Sequence, residues 1–234
     1  SRKDGWTVAK TFNRWAFISL LLLAQVVIAS DDRPNILLIV ADDLGYADLG
    51  VHGSDIRTPN IDALAAEGLL CTRFHTAPMC APTRAMMLSG NNNHVAGMGR
   101  QHPYGPLRDE MPGYEGHLSD RVAPFPGLLK EAGYHTYMAG KWHLGSEEET
   151  SPHARGFEET FALVPGGGSH WSDRKPLSPP QTMIYRRNGD IVASLPDDFY
   201  STKDYTNHLL EWMRNDQDDG KRAEERRGGE EGRR

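Results

Sequence analysis

Two adjacent carboxylates, Asp42 and Asp43, follow closely on the unbroken apolar run Ile36-Leu37-Leu38-Ile39-Val40. Such a run reads as a strand buried on both faces, and open α/β sheets place their ligands at the carboxyl ends of such strands. Two like charges in one partly buried turn repel each other and call for a cation. A hard divalent ion with oxygen ligands suits them, Ca2+ ahead of Mg2+ and either ahead of Zn2+, because no His or Cys cluster lies beside the pair. A solvated acidic turn is the plainer alternative for an isolated Asp-Asp.

A second group lies in Met79-Cys80-Ala81-Pro82-Thr83-Arg84-Ala85-Met86-Met87-Leu88-Ser89-Gly90. Pro82 suits a first helical turn, Ala85 to Leu88 favour helix and Gly90 ends it. Cys80 then sits at a helix N-terminus, where unpaired N–H groups and the helix dipole attract an anion, and Arg84 lies about one turn further on. A thiol in that place serves as a nucleophile; a small buried Cys in a helix cap is the alternative. The third group is Lys141-Trp142-His143. Lys141 and His143 are two apart beyond an expected strand and project to one side of an extended turn, with Trp142 between them turned to the core; a plain surface loop is the alternative for Lys-x-His taken alone.

The elements that must hold these groups alternate between strand and helix. The run at residues 35–40 is the first expected strand. Thr58-Pro59 opens a helix with Ile61, Leu64 and Ala65 on one face and Gly68 at its end, and a strand is expected over residues 69–75. Phe125-Pro126 opens another helix, Gly133 ends it, and residues 134–139 read as the next strand. This alternation means βαβ units and a mostly parallel sheet flanked by helices, an α/β class. Residues 91–124 and 165–180, the latter with Gly166-Gly167-Gly168, read as long ordered loops. Asn188-Gly189 marks a hairpin turn. Ser201 with Asp204 reads as a capping box opening a helix over residues 201–214, with Tyr205, Leu209, Trp212 and Met213 on its apolar face. Of the histidines, His94, His102, His117 and His170 lie in loops as secondary candidates for lining a cleft, His94 first, and His208 reads as structural.

Composition sets the frame for these groups. The chain has 234 residues, 38% of them hydrophobic, two cysteines and a net charge of -6. That excludes a collagen, a disulfide-stapled mini-protein and a disordered acidic tail, and it fits one large domain or a domain and a half. The mild acidity argues against a nucleic-acid or anionic-membrane surface, since both need clustered Lys and Arg. Any anion is therefore bound by local geometry. Residues 1–29 carry Arg2, Lys3, Lys10 and Arg14 ahead of the apolar stretch 17–29. That stretch is shorter than the roughly 20 residues of a membrane-spanning helix, so the segment reads as a signal peptide cleaved near Ala29, with an uncleaved anchor or a core helix as alternatives. The expectation is export to the periplasm or the medium, with no stable membrane span after cleavage. Residues 30–220 form the folded part. Residues 221–234 contain no apolar side chain larger than Ala and read as a solvated, disordered tail, natural or produced by a premature end or frame shift.

Taken together, Cys80-x-Pro82-Thr83-Arg84 with Ser89-Gly90 resembles the first signature of the formylglycine-dependent (type I) sulfatases, and Gly140-Lys141-Trp142-His143-Leu144-Gly145 resembles their second. Arg33-Pro34-Asn35 with Asp42-Asp43, Thr58-Pro59-Asn60-Ile61-Asp62 and Pro152-His153-Ala154-Arg155-Gly156-Phe157 fall in the same order. The likeness runs over residues 33–220, and its flavour is that of exported bacterial arylsulfatases. The resemblance implies an alkaline-phosphatase-like fold, of which this is the N-terminal part, and hydrolysis of sulfate esters. It implies that a separate maturation enzyme oxidises Cys80 to formylglycine, whose hydrate attacks sulfur. Asp42, Asp43 and the Cys80 diol would hold Ca2+, Arg84 would orient the diol, Lys141 would bridge nucleophile and sulfate, and His143 would take a proton from the second hydroxyl.

The family pattern also includes a later Pro-His histidine, an Asp-Asn pair on the metal and a further lysine on the sulfate, which have no counterpart in this sequence. Three protein ligands fall short of the six to eight oxygens that Ca2+ takes. The expectation is weak Ca2+ binding and poor turnover by the chain as it stands. A phosphonate or phosphodiester hydrolase of the same superfamily and a non-catalytic binder of sulfated ligands are the alternatives, and the substrate is a small sulfate ester or a sulfated glycan.

Overall fold

The computed structural model describes residues 33–101, 111–177 and 182–231, the last with side chains to residue 217. The signal-peptide reading at residues 1–29 and His102 lie outside the described residues. The chain divides into two units, the first ending at Ala41 and the second running from Asp42 onward.

Within the first unit, residues 33–40 form no regular secondary structure, and Ile36, Leu37, Leu38, Ile39 and Val40 are exposed. The expected first strand is therefore not a strand. An apolar run becomes one only when its backbone edge is paired and its faces are covered, and each exposed side chain here forgoes the roughly 1.5–3 kcal/mol that full burial supplies. The strand expected at residues 69–75 is likewise irregular, with Leu69 and Phe74 exposed. Neither run has the cover that its hydrophobicity demands.

The second unit contains the helices where the sequence puts them. Helix α1 is Pro59–Glu67, with Pro59 at its start and the Gly68 N–H closing on the Leu64 carbonyl. Helix α2, Cys80–Ser89, follows Met79 as N-cap and ends on Gly90, whose φ of 65° is the left-handed cap that glycine takes without strain. Helix α3, Phe125–Glu131, leads through Ala132 and Gly133 into strand β1, Tyr137–Lys141, three residues later than expected at its start.

Strand β2, Glu159–Leu163, pairs parallel with β1, Lys141 standing opposite Leu163. Strand β3, Tyr185–Arg187, pairs antiparallel with β2, and β4, Asp190–Ile191, closes a hairpin on β3. The sheet order is β1-β2-β3-β4, so the sheet is mixed and one of its three pairings is parallel. The turn is the predicted Asn188-Gly189, with φ of 50° and 95°, both in the region that right-twisted hairpins require.

Alternation along β2 divides the core. Ala162 faces a cluster with Ala81, Ala85 and Leu88 of α2 and Trp142, Leu144 and Phe157, while Phe161 and Leu163 face Met183, Tyr185, Phe199 and Trp212. Helix α4, Ser201–Glu231, covers the second face. Its start differs from the expected capping box: the Tyr200 N–H, one residue earlier, donates to Asp204 Oδ2 at 2.9 Å, while Ser201 Oγ meets His170 Nδ1 at 2.6 Å. The charged stretch from Lys221 to Glu231 continues α4 where a disordered tail was expected; its Glu, Arg, Lys and Ala residues are strong helix formers.

Candidate active site

Cys80 is the first residue of α2, and Sγ lies 3.3 Å from His143 Nδ1. Arg84, one turn along, is buried. Its Nη1 donates to the Lys141 carbonyl at 2.7 Å and its Nη2 to Asp42 Oδ1 at 3.1 Å, while Lys141 Nζ donates to Asp42 Oδ2 at 2.6 Å. Asp42, Cys80, Arg84, Lys141 and His143 therefore form one group, joined through Arg84 and the backbone between Lys141 and His143. Arg84 Nε is buried with no hydrogen-bond partner among the described residues, which leaves a donor for a ligand.

The β1 end sets these positions. Beyond Lys141 the β1/β2 ladder continues: the Trp142 N–H donates to the Leu163 carbonyl at 2.8 Å and the His143 N–H to that of Val164 at 3.1 Å. Trp142 is buried, as expected, with Nε1 donating to the Thr150 carbonyl at 2.8 Å. This anchor fixes the backbone between the two polar residues. His143 has φ of 61°, a left-handed conformation that costs a non-glycine residue about 1–3 kcal/mol and recurs at functional sites.

Burial of Asp42 works to raise its pKa, but hydrogen bonds and charge from Lys141 and Arg84 outweigh it and hold the carboxyl below its ordinary range. Asp42 is thus an anion between two cations. Asp43 follows with φ of 54°. Among the described residues no three His, Cys, Asp or Glu side chains gather closely enough to hold a metal ion, so the expected set of Asp42, Asp43 and Cys80 is not assembled. Both Asp42 oxygens are engaged by cations instead. The described residues do not fit a divalent ion by themselves.

Gly166 was missed as a site residue. A Cβ on it would stand 2.6 Å from His143 Cε1 and 2.7 Å from Nε2, so the bare backbone of Gly166 makes room for the imidazole. The signal was present in Gly166-Gly167-Gly168, read only as loop. The secondary histidines bond elsewhere: His94 to Asn92 and Tyr114, His117 to the Glu115 carbonyl and His170 to Ser201. His208 lies against Phe161 and Trp212, in keeping with a structural role.

The family model described as Sulfatase matches residues 34–223. An uncharacterized sulfatase of Schizosaccharomyces pombe is 46% identical over 198 residues, covering 80% of this chain and 36% of that protein. An arylsulfatase of Klebsiella aerogenes is 42% identical over 201 residues, covering 85% of this chain and 43% of its own length. Among solved structures, Ps i-CgsB in complex with k-i-k-neocarrahexaose superposes with a TM-score of 0.59 at 28% identity, over 78% of this chain and 41% of that one. The chain thus spans well under half the length of these proteins.

Proposed function

This chain belongs to the sulfatase family, with its alkaline-phosphatase-like α/β fold, and on that premise we propose that Cys80, Arg84, Lys141 and His143 are its part of a sulfate-ester hydrolase site that works through formylglycine at position 80. The observation that carries the reading is the convergence of Cys80, at a helix start, with His143 at 3.3 Å and with the cations Arg84 and Lys141 on one aspartate.

A separate maturation enzyme, using an external oxidant, would convert the Cys80 thiol to the formylglycine aldehyde; its hydrate would supply one hydroxyl that displaces the alcohol from sulfur as the ester S–O bond breaks, and a second whose loss of a proton would re-form the aldehyde while the C–O bond to sulfate breaks. The chain's own residues serve that chemistry by place and charge. His143 Nδ1 stands within reach of an oxygen at the Cys80 position and takes the proton there. Arg84 and Lys141, fixed through Asp42 and the Lys141 carbonyl, supply positive charge where the sulfate oxygens gather charge in the transition state. The α2 N-terminus adds N–H groups on the same side.

The basic, then apolar segment at residues 1–29 supports export. No helix among the described residues is long and apolar enough to cross a membrane. The neighbouring structure's oligosaccharide supports a sulfated glycan or small sulfate ester as substrate.

The test is mass spectrometry of the Cys80 peptide after co-expression with a sulfatase-maturing enzyme, together with an assay on 4-nitrophenyl sulfate and bis(4-nitrophenyl) phosphate. An aldehyde at position 80 and a weak preference for the sulfate ester are expected. An unmodified thiol with no turnover overturns the catalytic reading in favour of a binder, and preference for the diester overturns the substrate class.

A further inference from the structure

The loop that lies against the His143 ring is anchored through one arginine. Residues 165–176 fold back on themselves: Gly168 and Pro176 form an antiparallel bridge, and the Ser169 N–H donates to the Lys175 carbonyl at 2.7 Å. On the returning side of the loop stands Arg174, with φ of 51°, a left-handed conformation that a non-glycine residue keeps only when its surroundings hold it there. Its guanidinium supplies the hold. Nε and Nη2 donate to the Met183 carbonyl at 3.2 and 2.6 Å, and Nη1 donates to the carbonyls of Ala193 at 2.9 Å and Val192 at 3.4 Å. Met183 leads into β3 and Val192 follows β4, so one side chain joins the loop to both legs of the hairpin at its open end.

We propose that Arg174 is a positioning residue for the hydrolytic reaction: it clamps the glycine loop to the sheet so that Gly166 confines the His143 ring beside position 80. This rests on the sulfate-ester reading, in which His143 takes a proton there. The contacts run without a gap from Arg174 to the imidazole. Gly168, paired with Pro176, lies against the Met183 side chain, where a Cβ would collide with the sulfur and terminal methyl. The loop therefore meets residue 183 twice, through Arg174 at its carbonyl and through Gly168 at its side chain. Two residues before Gly168, Gly166 stands against Cε1 and Nε2 of His143. The ring is referenced to the same stretch from its own backbone: the His143 N–H donates to the Val164 carbonyl at 3.1 Å, and the Val164 N–H to that of Ile184 at 2.9 Å. Residues 183–184 thus fix both the backbone of His143 and the loop against its edge.

The chemistry of the clamp calls for arginine. A planar guanidinium presents its N–H groups in a fixed fork, which here reaches carbonyls on two separate segments at once, and bonds from a charged donor are stronger than neutral ones. A lysine ammonium at the same place keeps the charge but is a single point, able to serve one segment or the other. The acceptors are main-chain carbonyls, so the clamp does not depend on which side chains stand at positions 183, 192 and 193. Misplacing a reacting group by about 1 Å from a distance costs up to ~10²-fold in rate, so a clamp remote from position 80 acts on turnover through the ring that it steadies.

The experiment joins a carbon–proton NMR spectrum of the full chain, labelled at histidine Cε1, to kinetics on 4-nitrophenyl sulfate in chain carrying the aldehyde. Arg174→Ala is expected to shift or broaden the His143 cross-peak, identified by its loss in His143→Gln, and to leave those of His94 and His135 in place. Its kcat is expected to fall by about tenfold with KM changed by less than ~2-fold. Arg174→Lys is expected to move the same cross-peak less and to lose about threefold in kcat, and it carries the test if the alanine variant does not fold. A lowered melting temperature with the His143 cross-peak unmoved overturns the proposal and leaves Arg174 a staple of the hairpin. A moved cross-peak with unchanged kcat overturns it too, because the place of the ring then has no bearing on turnover. A moved cross-peak in a chain whose parent, with the aldehyde in place, hydrolyses no sulfate ester supports the clamp on the ring and overturns the sulfate-ester reading instead.

Discussion

His143 Nδ1 stands 3.3 Å from Cys80 Sγ, although 63 positions of sequence separate the two. The contact brings the end of β1 to the start of α2, and it places the imidazole beside whatever oxygen replaces the sulfur. Proton transfer by a positioned side chain contributes typically ~10²–10⁴-fold to rate. His143→Ala is therefore expected to lower kcat on 4-nitrophenyl sulfate by about two orders of magnitude or more in chain carrying the aldehyde, with little change in melting temperature. Steady-state kinetics beside a thermal melt check both halves, and unchanged kcat removes His143 from the mechanism.

Gly166 tests the same imidazole from behind. The Cβ of Gly166→Ala would lie 2.6 Å from His143 Cε1, and Gly166 has no left-handed φ to be strained. The side chain that must move is His143, so the expected outcome is a kcat loss of about tenfold or more at near-native stability. A variant that unfolds, or one with unchanged turnover, shows that the loop backbone and not the ring absorbs the contact.

Asp42 holds both cations of the group, with Lys141 Nζ at 2.6 Å and Arg84 Nη2 at 3.1 Å. An anion arriving there competes with the carboxylate. Asp42→Asn removes that charge and is expected to tighten inorganic sulfate binding by chelator-treated chain severalfold, measured by isothermal titration. Weaker binding in the variant means that Asp42 organises the cations more than it shields them.

The Asn188 turn bears on stability alone. Asn188 has φ of 50°, and its Oδ1 accepts the Thr160 N–H at 2.6 Å while Nδ2 donates to Glu159 Oε2 at 2.8 Å. Asn188→Ala leaves those partners unmade and strains the backbone, for an expected loss of about 2–3 kcal/mol. Asn188→Gly relieves the backbone but not the hydrogen bonds and is expected to fall between Ala and the parent in urea unfolding. Equal stability of the two variants assigns the whole cost to the side-chain bonds.

Local signals explain which elements were legible in the sequence. Helices α1, α2 and α3 are bounded by Pro at their starts and Gly at or just past their ends, and the hairpin by Asn-Gly, all signals within a few residues of the feature they set. The run Ile36 to Val40 is the contrary case: its hydrophobicity states what it can bury but not whether anything covers it. Within the site, residue types named Cys80, Arg84, Lys141 and His143, whereas the Asp42–Lys141 pair spans 99 positions and is a property of packing. Gly166 was hidden for a related reason, since a glycine's role as a space for a distant ring leaves no mark on its neighbours in sequence.

His208 gives the pH dependence with the clearest sign. Its ring lies 4.4 Å from Phe161 and 5.5 Å from Trp212, and burial, helped by Arg187, holds its pKa below the ordinary histidine value; Glu211 and Asp204 oppose the shift without reversing it. A lowered histidine pKa means that the unfolded chain binds the proton more readily than the folded one. The contribution of neutral His208 is therefore complete above the unfolded value of about 6.5 and is lost as pH falls from there toward the folded value. His208→Phe keeps an aromatic ring between Phe161 and Trp212 but cannot take up a proton. The melting temperature of the parent is expected to fall more steeply than that of the variant between about pH 7 and about pH 5. Because the other nine of the ten histidines are common to both proteins, the difference between the two slopes isolates His208. Parallel slopes would mean that protonated His208 is accommodated, with Glu211, 4.0 Å away, as its counter-ion.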